Sequence, residues 1–138
     1  MSLELKILNY LDTQITDGTV KIIYPNTPSD AFGNSFSDST IILQPTVLDL
    51  GSEIIGVPVR PSTEQRREFR LHINVFSTKD VGAGAVHVQA GVLDTIFNAQ
   101  QMTHDSSTFY FKASRLRPPV YNELYYQRPW ECEFIVYE

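Results

Sequence analysis

EFRLHINVFS, residues 68–77, alternates without a break through its middle: Phe69, Leu71, Ile73 and Val75 are apolar, and Arg70, His72 and Asn74 between them are polar. Side chains of a β-strand point alternately to opposite faces, so the pattern predicts a strand with one face in a core and the other turned outward. Such a strand needs partners on its apolar face, and the flanking sequence supplies them. Downstream of the turn-like segment from Ser77 to Gly84, Val86, Ala90, Leu93 and Phe97 fall at helical spacing, with Val92 and Ile96 widening the stripe. Gly91 lies inside that helix at a cost of about 1 kcal/mol relative to alanine, which predicts a backbone packed closely on the sheet. Upstream, Leu3, Ile7, Leu11 and Ile15 with Leu8 give a first helix, and Gly18 is expected to stop it in the left-handed conformation.

The remaining elements are shorter. Val20 to Tyr24 reads as a strand ended by Pro25-Asn26. Thr40 to Leu50 reads as another, with Pro45 confined to an edge or a bulge because proline has no N–H for a ladder. Gly51 to Thr63 reads as a long connection. Phe109, Phe111 and Ala113 alternate with Tyr110 and Lys112. Trp130, Cys132, Phe134 and Val136 alternate with Glu131, Glu133 and Ile135, and the pattern leaves room for a short strand between Val120 and Tyr126. The sequence thus predicts one small α+β domain over residues 1–138, a mixed or antiparallel sheet packed by two helices in the order α-β-β-β-α-β-β. Two helices do not cover both faces of such a sheet, so one face is expected to meet solvent or a partner.

Composition bounds the function. The chain has 138 residues, of which 42% are hydrophobic and 20% charged, enough to bury a core without disulfides or metals. Its one cysteine, Cys132, excludes an internal disulfide and is what a reducing compartment permits. No apolar run reaches the ~20 residues of a membrane helix, and Glu4, Lys6 and Asn9 break the start where a secretory signal needs an apolar stretch. The expectation is a protein synthesised in the cytoplasm and not inserted in a membrane. A net charge of −5 argues against general binding to nucleic-acid backbone.

No catalytic, cofactor or metal constellation emerges. VGAGAVH, residues 81–87, sits where a dinucleotide-binding loop would, but His87 replaces the third glycine and no parallel βαβ repeat follows. A small nucleotide- or metabolite-binding enzyme is therefore a remote alternative. His72, His87 and His104 have no ligand-like spacing, and Cys132 alternates with Trp130 and Phe134 into the expected core, where thiols are usually inert. Glu131 and Glu133 share a polar strand face and nothing beside them marks out an acid and a base.

YPN at residues 24–26, EFRLHINVFS, AVHVQAGVLDTIF at residues 85–97 and YYQRPWECEFIVYE at residues 125–138, taken in this order, resemble the tail terminator family of long-tailed, siphovirus-like bacteriophages. The likeness runs from the first helix to the last strand and finds no match between Leu50 and Gln65. It implies a non-enzymatic virion protein, assembled in the host cytoplasm, that forms a ring, commonly a hexamer, on the head-proximal end of the tail. There it would cap the tube, stop its polymerisation and join it to the head–neck connector. The partners implied are other copies of the chain, the tail tube protein, the connector, and genomic DNA that passes through the channel without sequence-specific binding. A neck or head-closure protein is the alternative within the same assembly. A ring of acidic subunits would repel phosphate, so that DNA slides rather than sticks.

Two segments are candidate interfaces on this reading. IIYPNTPSDAFGNSF, residues 22–36, is rich in turn residues and carries Phe32 and Phe36 either as anchors for a neighbour or as plugs folded back onto the domain's own core. Residues 60–70 hold four arginines, Arg60, Arg66, Arg67 and Arg70, against Glu64 and Glu68, a local +2 where the remainder of the chain is −7. Arg66 and Arg70 are expected to share one strand face and Arg67 the other. Glu64 and Glu68 fall on the same face as Arg66 and Arg70, and would otherwise reduce them to exposed salt bridges.

Overall fold

The structure is a computed structural model that describes residues 2–24, 41–54, 65–78, 83–121 and 125–137. Among these lie two helices and seven strands: α1 (Leu3–Gln14), β1 (Val20–Ile22), β2 (Ile41–Ile54), β3 (Gln65–Thr78), α2 (Ala83–Phe97), β4 (Gln101–His104), β5 (Ser107–Leu116), β6 (Val120–Tyr121) and β7 (Tyr125–Tyr137). The strands form one sheet in the order β1-β2-β3-β7-β5-β4, with β6 paired to β7. The pairing is mixed: β1 runs parallel to β2, and every other pair is antiparallel. The fold is α+β.

β3 and β7 form the middle of the sheet, and their alternation decides everything around them. Phe69, Leu71 and Ile73 stand opposite Phe134, Cys132 and Trp130. These six, with Val75, are at most 1% exposed and join Ile41, Leu43, Phe109 and Phe111 in one core. Leu3, Ile7 and Leu11 of α1 and Val86, Ala90, Leu93 and Phe97 of α2 close the same core, so both helices cover the same face of the sheet. The rings interlock, with Phe134 stacked on Phe69 at 5.2 Å and set against Phe111 at 4.9 Å, while Phe97 bridges Trp130 at 5.8 Å.

Polar contacts fix α2 to the sheet. Asp94 accepts hydrogen bonds from Trp130 Nε1 at 2.9 Å and from the Ser114 hydroxyl, and Asn98 Oδ1 accepts from Ser114 N at 2.8 Å. The buried indole N–H is thereby satisfied.

Several local expectations change. α1 is capped by Ser2, whose side chain accepts from Leu5 N, but it ends at Gln14 with Ile15 extended. Gly18 is not in the left-handed region and lies beyond the helix, so it does not stop it. Gly91 does not approach the sheet either: it is exposed, and a Cβ built there meets nothing within 4 Å. The residue that turns left-handed after α2 is Ala99, at φ 54°. Gly51 is part of β2 rather than the start of a connection, at φ 125° beside a bulge between Asp49 and Gly51 that carries the strand on to Ile54. Among the described residues Pro45 meets the edge condition, since β1 ends at Ile22 opposite Leu43 and the strand paired with Pro45 is β3. A register shift between Phe111 and Ser114 turns Ala113 out of the core, contrary to the simple alternation. β4 was not expected. It forms a hairpin with β5 through Asp105 and Ser106, both at positive φ, as a two-residue turn of the primed type requires.

Candidate functional site

Both described helices lie on one face of the sheet, and among the described residues no helix covers the other. The residues of that other face follow from the register. One row across the sheet is Thr46, His72, Glu131 and Arg115; the next holds Leu48, Arg70 and Glu133, with Lys112 alongside in the bulged part of β5. Beyond them lie Glu68, Ile135 and Tyr110, then Arg66 opposite Tyr137. Ile42 and Phe76 stand opposite one another at the far end, where Ile42 is fully buried and Phe76 meets Tyr125 edge-on at 6.4 Å.

The charged rows are knit by ion pairs. Arg70 reaches Glu133 at 2.9 Å, Lys112 approaches the other oxygen of Glu133 at 3.8 Å, and Arg117 reaches Glu131 at 2.7 Å. Cross-strand partners of opposite charge stabilise a sheet modestly, and at this exposure they do so weakly. The hydrogen bond from Arg70 holds the Glu133 carboxyl below the usual carboxylate range and raises the Arg70 guanidinium in turn. Burial lowers the pKa of His72, against the pull of Glu131 beside it. Lys112, Ala113, Arg115, Glu131 and Glu133 line a shallow depression of about 240 Å³. Arg115 forms no ion pair among the described residues, so it is the cation there whose charge is least engaged.

Next to this depression the face turns apolar and aromatic. Leu48 is 42% exposed, Tyr110 39% and Tyr137 44%, and the two tyrosine rings meet edge-on at 5.7 Å. Tyrosine and arginine around an apolar patch is the composition of protein-contact surfaces rather than of catalytic pockets.

The arginines picked out in the sequence divide between the faces. Arg66 and Arg70 share the face that no described helix covers, Arg66 bonded to Glu68 at 2.7 Å and Arg70 to Glu133 across the sheet at 2.9 Å. Arg67 lies on the helix side, 4.9 Å over the Phe69 ring and 3.4 Å from Asp49. Arg60, Phe32, Phe36 and Glu64 lie outside the described residues. Sequence reasoning missed Arg115, Lys112, Tyr110 and Tyr137, because a bulge in β5 and the pairing of β5 with β7 had to be known before these residues could be placed beside Arg70.

Burial pushes the Cys132 thiol up to about 12, so it is protonated and poorly nucleophilic. Among the described residues no group of His, Cys, Asp and Glu has the placement to hold a metal ion, and no helix is long and apolar enough to cross a membrane.

No family model matches the chain, and no curated protein matches it. Among solved structures, one whose designation states no function is similar over 98% of this chain and 96% of its own, with a TM-score of 0.62 at 14% identity. That likeness concerns the fold alone.

Proposed function

We propose that the protein is a tail terminator: a non-enzymatic ring subunit, hexameric on the tail, that caps the tail tube of a long-tailed bacteriophage, ends its polymerisation and presents the surface that meets the head–neck connector. The observation that carries the reading is the helix-free sheet face, where Leu48, Tyr110 and Tyr137 stand exposed beside Arg70 and Arg115. Apolar and aromatic side chains exposed on a sheet face that no described helix covers suit association with protein. The resemblance of the sequence from first helix to last strand supplies the kind of assembly.

On this reading the virion is the site of action and the cytoplasm the site of assembly. The partners are further copies of the chain, the tube protein and the connector, with DNA passing through and no cofactor required. The candidate interface of Arg66 and Arg70 belongs to this face, and Phe32, Phe36 and Arg60 remain candidates in their segments. The test is to add the purified chain to tubes assembled from the tail tube protein of the same phage and to image the ends. Rings seated on tube ends, with growth arrested, are the expected result. Tubes that grow unchanged and carry no ring overturn the reading, and rings on the connector alone favour a neck protein instead.

A further inference from the structure

The charges of the described side chains separate by face. On the helix-free face stand six cations, Lys21, Arg66, Arg70, Lys112, Arg115 and Arg117, against Glu68, Glu131 and Glu133, a net of +3. The rest of the described surface is the reverse: Glu4, Asp12, Asp17, Asp49, Asp94 and Asp105 stand against Lys6, Arg67 and Arg128, a net of −3. Apolar groups are exposed on both sides as well. Leu48, Tyr110 and Tyr137 lie on the sheet face, and on the helix side Val88 is 71% exposed and Val92 40%, with Leu5 on α1.

From this partition we propose that copies of the chain associate head to tail, the cationic sheet face of one packing against the acidic helical side of the next. The proposal rests on the ring reading and gives it a geometry. A face-to-face dimer would set +3 against +3, and a helix-to-helix one −3 against −3, whereas the head-to-tail contact pairs opposite signs at every junction. Contacts between two different patches of identical subunits close into rings when the rotation allows. The three carboxylates interspersed on the sheet face make it a poor surface for the uniform negative charge of DNA and a better one for a mixed protein surface. Complementary charge of this kind also fixes which patch meets which.

A charge-swap mixture tests it. One variant carries Lys112→Glu and Arg115→Glu on the sheet face; the other carries Glu4→Lys and Asp12→Lys, two turns apart on one flank of α1. Neither replaces a core residue, and melting curves establish that both fold. Wild type is expected to associate in sedimentation at low salt or on tube ends, and to weaken as salt is raised. Each variant alone is expected to stay monomeric with at least a tenfold loss of affinity. An equimolar mixture is expected to recover most of the association, because every junction of an alternating ring again pairs opposite charges. A folded variant that forms rings as wild type does, or a mixture that fails to recover, overturns the head-to-tail assignment while wild-type rings leave the terminator reading standing. Wild type that stays monomeric at every concentration, with and without tubes, overturns both. Binding of duplex DNA to the sheet face without association of copies overturns the inference as well.

Discussion

Arg70 on β3 and Glu133 on β7 stand directly opposite each other on the helix-free face, with guanidinium nitrogen and carboxylate oxygen 2.9 Å apart. The pair is partly exposed on a face that no described helix covers, and its effect on stability is an acid one because Glu133 is the group that titrates. Glu133 has a folded pKa below its ordinary value of 4.5, chiefly because Arg70 donates to it. The folded state thus binds fewer protons than the unfolded one as the pH falls. Its contribution is complete above pH 4.5 and is lost as pH drops through the lower, folded value. Glu133→Gln is expected to flatten the acid limb of the stability curve below pH 4.5, and a variant whose curve keeps the wild-type slope there would show that the pair contributes nothing.

His72, opposite Glu131 in the next row, titrates in a different window. Burial is the main cause of its lowered pKa, and Glu131 opposes the shift. The lowered pKa means that folding favours the neutral imidazole, so its contribution is present above 6.5 and declines as pH falls towards the folded value. His72→Gln is expected to remove a stability loss beginning just below pH 6.5, measured by urea midpoints across pH 5–7.5 as roughly spanning the histidine range. An unchanged profile would mean that the ring is solvated well enough to titrate freely.

Phe134 anchors the core. It stacks on Phe69, meets Phe109 at 5.7 Å and Phe111 at 4.9 Å, and is fully buried. Phe134→Ala is expected to cost about 3–5 kcal/mol and Leu71→Ala, buried beside Cys132, about 2–5 kcal/mol by denaturant unfolding. Losses below about 1 kcal/mol in both would place the strand alternation on the wrong face.

The alternation from Phe69 to Val75 and from Trp130 to Val136 was legible in the sequence, because burial on one face of a central strand writes itself into every second residue. The helical stripes of Ile7 and Leu11, and of Val86 to Phe97, were legible for the same reason at another period. Bulges were not. Ala113 fits the alternation of Phe109 and Phe111, yet the register shift after Phe111 turns it outward, and a shift of one position has no residue signature here. Gln101 to His104 reads as polar and became a strand only because β5 offered it a partner. Much of the candidate site was hidden by the same logic. Arg70 meets Glu133 across 63 positions of sequence, and Lys112 and Arg115 join them through β7, so the charged rows exist only once the strand order is set.

Gly91 gives the most direct test of how the outer side of α2 is used. It lies in mid-helix, its carbonyl accepts from the Thr95 hydroxyl at 3.0 Å, and a Cβ added there points into open space. Its backbone is not left-handed, so a side chain adds no strain. Gly91→Ala is therefore expected to stabilise the isolated chain by about 1 kcal/mol, because alanine loses less conformational freedom in a helix than glycine does. If the helical side packs against the sheet face of the next copy, a larger residue at the same place separates folding from assembly. Gly91→Leu, flanked by exposed Val88 and Val92, is expected to melt at or above the wild-type temperature. The same variant is expected to associate at least tenfold more weakly, since leucine projects from a surface where glycine allowed close approach. A Gly91→Leu chain that caps tubes as well as wild type would move the contact off this part of α2, and one that melts lower than wild type would mean that Gly91 is packed more closely than its open surroundings indicate.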